Sequence, residues 1–388
     1  MRRPSSGLFT SALTFCLAAS LCAQSAAPPG PTPQSPEAQA QHGPVLVHRP
    51  SPKPATPPRV ATPDGRIHLD VVVTDAAGKP VFGLEPGDFK LLDNDQPGRI
   101  LSFHSFDGVN VKPDPAVEVI LVLDIANLPF QQVAFVRTEV ERFLRQNGGH
   151  LVQPVSIYLL SESGLQIQPR PSVDGNALVK VLNQINGRLQ TTYAVEGADA
   201  DLRHFELSVR QLASIAENKV KDPGRKLLIW LGPGWPMVEG GNYRFSDRDQ
   251  RSYFDAIVEL STTLRQARMA VYSVSATGPA LGAGPDRRFL YRDYLRGVKS
   301  ARQADTGDLA LKVLATHSGG RILGPDNNVT AQINNVIAEA NTFYSISFNP
   351  PPAQHTDEYH DLKVLLGKPG LLARTNTGYY NEPPGKQE

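Results

Sequence analysis

Val117-Glu118-Val119-Ile120-Leu121-Val122-Leu123-Asp124 is an almost unbroken apolar run that stops on a carboxylate. A strand apolar at consecutive positions is covered on both faces, as strands are in a parallel sheet held between helix layers. The residues that follow keep a different period. Phe130, Val133, Ala134, Val140, Phe143 and Leu144 fall on one helical stripe, and Arg137, Glu141, Arg142 and Arg145 fall off it. The alternation then repeats. Val155 to Leu160 reads as a strand and Asn176 to Ile185 as a helix, with a second helical stripe at Leu202, Phe205, Val209, Leu212 and Ala216. Lys226 to Leu231 is another buried strand, followed by a helix with Phe254, Ile257, Val258 and Leu264 inward and by the strand Met269 to Val274. A last round gives helix Asp308 to Thr316, strand Arg321 to Leu323 and helix Val329 to Ala340. Strands alternating with helices of this length predict a doubly wound, mostly parallel α/β sheet over residues 115–341.

Working outward, both flanks carry β patterns. Residues 64–114 hold a strand pattern from Arg66 to Thr74, a turn at Asp75 to Pro80, a second strand starting at Val81, then Asp88 to Asn94 and Arg99 to Phe106, separated by Gly, Pro and Asp. Residues 342–381 hold Phe343 to Phe348, a break at Pro350-Pro351-Pro352, His360 to Leu366 and Gly378-Tyr379-Tyr380. About 45 residues of short strands make a sheet too small to close its own core. The two flanks are therefore expected to pair into one small β-sandwich into which the α/β domain is inserted, leaving a short tail at 382–388.

Further out the composition changes. Residues 24–63 contain twelve prolines, no aromatic residue and only Glu37, Arg49, Lys53 and Arg59 as charges, the make-up of an extended tether rather than of a packed core. Residues 1–23 have the three parts of an export signal: Arg2-Arg3, the apolar run Leu8 to Leu21, and small residues around Ala23. That run is short of the ~20 residues of a spanning helix, and no later stretch reaches that length, so the mature chain is expected to be exported, periplasmic or extracellular, without a transmembrane segment. The two cysteines, Cys16 and Cys22, both lie inside the signal. Its removal leaves no disulfide, thiol nucleophile or thiolate-bound metal in the mature protein. With 39 Lys+Arg against 38 Asp+Glu in 388 residues, the formal charge of +1 supplies no basic field for nucleic acid.

The residues Val71-Val72-Val73-Thr74-Asp75, Gly78-Lys79-Pro80-Val81, Gly83-Leu84, Asp88-Phe89 and Ile100 to Phe103 resemble the opening of the von Willebrand factor A-related proteins of Acidobacteria. Phe343-Tyr344-Ser345-Ile346, Pro351-Pro352, His360 to Val364 and Gly378-Tyr379-Tyr380 are similar to that family's close. The resemblance spans residues 64–381 and implies a von Willebrand type A-like domain, used for binding rather than for chemistry. It also implies a divalent cation at the carboxyl ends of the strands, held by Asp-x-Ser-x-Ser, a threonine from a second loop and an aspartate from a third. Here the strand ends on Asp124, but Ala126 and Leu128 stand where the hydroxyls belong, and Leu231-Gly232-Pro233-Gly234 offers no aspartate. A cation, if held, would rest on Asp124 and Thr192, with Asn127 lending a carbonyl oxygen. Mg²⁺ needs a fuller oxygen shell than that. No cofactor is therefore expected, and Asp124 reads as a helix cap or as an acceptor that orders the following loop.

Other chemistry leaves little trace. There is no Gly-x-Ser-x-Gly elbow, and Gly78-Lys79 and Gly367-Lys368 lack the remainder of a phosphate loop. Gly232-Pro233-Gly234 is a turn rather than a dinucleotide loop. His355 and His360, flanking Asp357 and Glu358, sit in a proline-led loop without helical ligand spacing, and His317 before Ser318-Gly319-Gly320 reads as an imidazolium at a helix end. Two connections carry the residue mix of recognition surfaces. One is Trp235 to Phe245, with Trp235, Tyr243, Arg244 and Phe245; the alternative for Trp235 and Phe245 is packing over the sheet edge. The other is Ala276 to Arg296, rich in arginine and tyrosine. The expected function is non-enzymatic binding or adhesion to a protein or cell-envelope ligand. The alternatives are metal-dependent binding through Asp124 and hydrolysis of an envelope polymer, since a carboxylate pair for glycosidic chemistry is not recognisable from spacing alone.

Overall fold

A computed structural model describes residues 47–49, 65–184, 198–236, 246–275, 290–324 and 326–383, all within the unit Gly43–Glu388. In chain order the first strands are β1 (Val47–Arg49), β2 (Ile67–Thr74), β3 (Phe89–Asp93), β4 (Gln96–Gly98), β5 (Ile100–Asp107) and β6 (Glu118–Asp124). Helix α1 (Phe130–Leu144) leads to β7 (His150–Ser161), β8 (Gly164–Ile167), β9 (Ser172–Asp174), α2 (Gly175–Gln184) and α3 (Ala198–Lys219). Then come β10 (Lys226–Leu231), α4 (Asp247–Gln266), β11 (Met269–Val274), α5 (Leu311–His317), β12 (Ile322–Leu323) and α6 (Val329–Ile337). The chain closes with β13 (Thr342–Phe348), β14 (Glu358–Leu366), β15 (Leu372–Arg374) and β16 (Gly378–Asn381).

The central sheet has the order β1-β8-β7-β6-β10-β11-β12, with β9 paired to β7. Strands β7, β6, β10, β11 and β12 are mutually parallel. Every residue of β6, β10 and β11 is buried, as their apolar runs require. On one face Val119, Leu121 and Leu123 of β6 pack with α1, α2 and α6; on the other, Ile120 and Val122 pack with α3, α4 and α5. Helices therefore cover both faces, as the alternating pattern predicts. The carboxylate that opens β6, Glu118, is buried with Lys219 at 2.8 Å and accepts from Ser156 at 2.7 Å.

The flanks form two four-stranded sheets, β15-β2-β13-β5 and β16-β14-β3-β4, each mixing N- and C-terminal strands. Leu69, Val71 and Val73 of β2 face Leu91, Tyr344, Ile346 and Tyr379 in the sandwich core. Val72, from the same strand, joins Phe343 in the core beneath the central sheet. The uninterrupted valines of β2 thus serve two hydrophobic cores, one on each side of the strand.

Three expectations change. Within the segment read as a tether, β1 pairs antiparallel with β8, Val47 opposite Ile167, so three of its residues extend the sheet edge. The hairpin strands β8 and β9 lie where the pattern gave nothing, because strands of four and three residues are too short to display a period. Asp308 starts no α-helix: Thr306–Leu309 is a 3-10 turn with Asp305 and Asp308 as its reciprocal cap, and α5 begins at Leu311. His317 is also corrected. Burial holds its ring below the ordinary histidine range, which disfavours the imidazolium, and its Nδ1 lies against Thr377 Oγ1. Gly319 adopts the left-handed conformation of a helix C-terminus.

Candidate functional site

In open α/β sheets ligands bind beyond the carboxyl ends of the strands, which here places the rim at Asp124, Leu231 and Val274. Asp124 is fully buried. Its Oδ1 accepts from the Asn127 backbone N–H at 3.1 Å and from Asn127 Nδ2 at 2.9 Å. Its Oδ2 accepts from Asn127 Nδ2 at 2.9 Å and from the Trp230 indole N–H at 2.8 Å. Asn127 is itself held, donating to Ser208 Oγ at 3.0 Å and lying 3.3 Å from His204 Nδ1 through its Oδ1. Burial raises the Asp124 carboxyl to about 6, against the opposing pull of the Asn127 and Trp230 hydrogen bonds.

Asp124 therefore orders the loop that leaves β6; it does not cap α1, whose N-cap is Pro129. A hard cation needs oxygens free to coordinate it. Both oxygens of Asp124 already face N–H donors. Ala126 and Leu128, at the hydroxyl positions, pack in the two sheet-face cores. Gly232 closes the third side, since a Cβ there would lie 2.9 Å from the Asp124 Cβ. This donor set does not fit a divalent cation. Thr192, the second-loop candidate, lies outside the described residues.

Trp235 points inward. It is 4% exposed, its indole N–H donates to the Leu309 carbonyl at 3.2 Å, and its ring meets Trp230 edge-on at 5.2 Å between centroids. Of the two readings of this residue, packing is the one its geometry matches, because a buried indole N–H must find an acceptor and Leu309 provides it. Tyr243, Arg244 and Phe245 lie outside the described residues, as does most of the connection after Ala276. Tyr291 to Tyr294 forms a 3-10 turn, and Arg296 is turned back onto the carbonyls of Asp293 and Gln303. His360 is a core residue of β14, 2.8 Å from Asp93 and stacked on Tyr379, while His355 pairs with Glu358 at 3.0 Å. Among the described residues no group of three or more His, Cys, Asp or Glu could hold a metal ion, and no helix is long and apolar enough to cross a membrane.

Sequence reasoning missed Trp230, Ser208 and His204. A signal for the first existed. A tryptophan in an otherwise aliphatic buried strand needs an acceptor for its N–H, and the nearest strand end carries a carboxylate.

No protein-family model matches the chain, and no curated protein matches it. Among solved structures it is similar to manganese-loaded TRAP of Plasmodium vivax, at 10% identity and a TM-score of 0.31, over 74% of this chain and 97% of that one. It is similar to the human COPII-coat protein Sec24c at 10% identity and 0.33, over 69% of this chain and 44% of that one. The pilus adhesin SpaC of Lactobacillus rhamnosus GG shares 13% identity at 0.33, over 77% of this chain and 43% of that one. The chain spans less than half the length of the last two.

Proposed function

We propose that the chain is an exported, tethered binding protein whose von Willebrand type A-like domain grips a protein or cell-envelope ligand at the carboxyl rim of its central sheet, without a cation and without turnover. The observation that carries this reading is the closed network of Asp124, Asn127 and Trp230. It fills the place where a cation would sit with N–H donors and hydrocarbon, so contact area is what remains for recognition. The contacts belong to the connection after β10, where Tyr243, Arg244 and Phe245 offer aromatic and guanidinium groups of the kind that anchor interfaces. Trp235, at the start of that connection, is held by its packing on Trp230.

The test is capture of partners from a cell-envelope extract by the purified chain, with and without EDTA, comparing wild type with Y243A/R244A/F245A. The reading expects EDTA to change nothing and the triple variant to lose the captured partner. Capture abolished by EDTA would favour the metal-dependent alternative. Release of fragments from the envelope polymer would favour the hydrolase. A triple variant that captures like wild type would remove the loop as the contact surface.

A further inference from the structure

At the opposite end of the central sheet, where β2 lies against the turn from α4 into β11, a cleft of ≈ 20 Å³ is lined by His68, Asp70, Arg225, Arg265, Arg268 and Asn376. Three guanidiniums face one carboxylate. Asp70 is committed to Arg268, which donates from Nε at 3.1 Å and from Nη2 at 2.5 Å. The other two guanidiniums have no carboxylate. Arg225, 2% exposed, donates Nη1 to the Glu339 carbonyl at 2.7 Å and lies over the Phe343 ring at 4.6 Å, leaving its buried Nε without an acceptor. Arg265, in the last turn of α4 and half-buried, has a buried Nε without a partner and no carboxylate against its guanidinium among the described residues. The nearby Glu339 carboxylate offers no relief. It is taken by Arg374 at 2.7 Å, Arg321 at 2.8 Å and Tyr272 at 2.8 Å.

A buried cation without a counter-charge is costly, and the protein either weakens the charge or supplies an anion. Burial already draws the Arg265 guanidinium down to about 10. Guanidinium forks match the oxygen pairs of carboxylate and phosphate, which is why arginine is the side chain that recognises them. We propose that this cleft binds a small oxyanion, inorganic phosphate or a carboxylate, held by the guanidiniums of Arg265 and Arg225 with the Asn376 amide as a further donor. The cavity holds one or two water-sized groups, room for the two oxygens that one guanidinium fork engages while the rest of the anion stays at the mouth, and none for a nucleotide. Such an anion would join α4, the approach to β10 and the segment before β16, cross-bracing the α/β domain and the sandwich where Arg268 and Asp70 already do so.

The test uses the full chain in a chloride buffer, with thermal unfolding followed as phosphate or acetate replaces chloride at matched ionic strength. A ligand that binds only the folded state raises the midpoint with the logarithm of its concentration once that exceeds its Kd, by about 4–8 °C at a hundredfold excess. The anion whose rise begins at the lower concentration identifies the source. Arg265→Gln is expected to weaken that response at least tenfold while its midpoint in chloride stays at or above that of wild type, because an uncompensated charge has been removed. A rise no larger than the chloride control for both anions, or an Arg265→Gln response with wild-type affinity, would overturn the proposal. Should that variant fail to fold, calorimetric titration of wild type with phosphate and acetate decides without it: one saturable site for either anion supports the cleft, and none for both rejects it.

Discussion

Replacing Trp230 with phenylalanine isolates the hydrogen bond that closes the candidate site. The indole N–H lies 2.8 Å from Asp124 Oδ2, and both residues are fully buried, so no solvent replaces the donor. A bond to a charged acceptor is worth about 1.5–3 kcal/mol and one to a neutral acceptor about 0.5–1.5 kcal/mol. Whether Asp124 is charged depends on pH. Its folded-state pKa is raised from 3.8 to about 6, so between those values the folded state holds a proton that the unfolded state has lost. Stability therefore falls as pH rises through that window and is level above it, a cost of about 3 kcal/mol at neutral pH for a shift of about two units. The variant loses ring volume at every pH, but it loses the charge-assisted bond only when the carboxylate is ionised. Urea unfolding followed by circular dichroism is expected to give a loss about 1–2 kcal/mol larger near pH 7.5 than near pH 5. Equal losses at the two pH values would show that the indole does not stabilise the ionised carboxylate, and the account of the closed site would fail with it.

Three further outcomes follow from the same structure. Calorimetric titration with Mg²⁺ or Mn²⁺ is expected to give no saturable binding, and micromolar affinity abolished by Asp124→Ala would contradict the donor set described. Asp308 is buried, raised to about 6 chiefly by that burial, and leaves Oδ1 unpaired while Oδ2 accepts from the Asp305 N–H at 2.8 Å. Asp308→Asn keeps the accepting oxygen and removes the charge, so thermal unfolding is expected to show a gain of about 1–3 kcal/mol near pH 7.5 that shrinks near pH 5. Glu118→Ala strands Lys219 in the core with only the half-exposed Asp222 at 2.9 Å, and a loss of about 3 kcal/mol in urea unfolding is expected.

The α/β order, the two-faced burial of β6 and β10 and the pairing of N- and C-terminal strands were legible in the sequence because burial imposes a period. A strand covered on both faces has no polar alternate, and a helix on a sheet has one apolar stripe. Short pieces escaped for the same reason. Strands β1, β8 and β9 are made by backbone pairing over three or four residues, where any sequence without an obstruction will serve.

At the rim, Asp124, Ala126 and Leu128 could be judged locally, since five consecutive residues decide whether hydroxyls are present. That judgement told what the loop lacks, whereas the tertiary structure decided what occupies its place. Trp230 is 106 positions from Asp124 and meets it only through the parallel register that sets Trp230 opposite Val122. Trp235 has the composition of a surface anchor, and only its distance to Leu309 turns it inward. The arginine cleft is the extreme case. Arg225, Arg265 and Arg268 each look like ordinary solvated cations in the sequence. Folding brings them together beside a carboxylate that can neutralise just one, because charge balance within a cleft is a property of packing and is written nowhere along the chain.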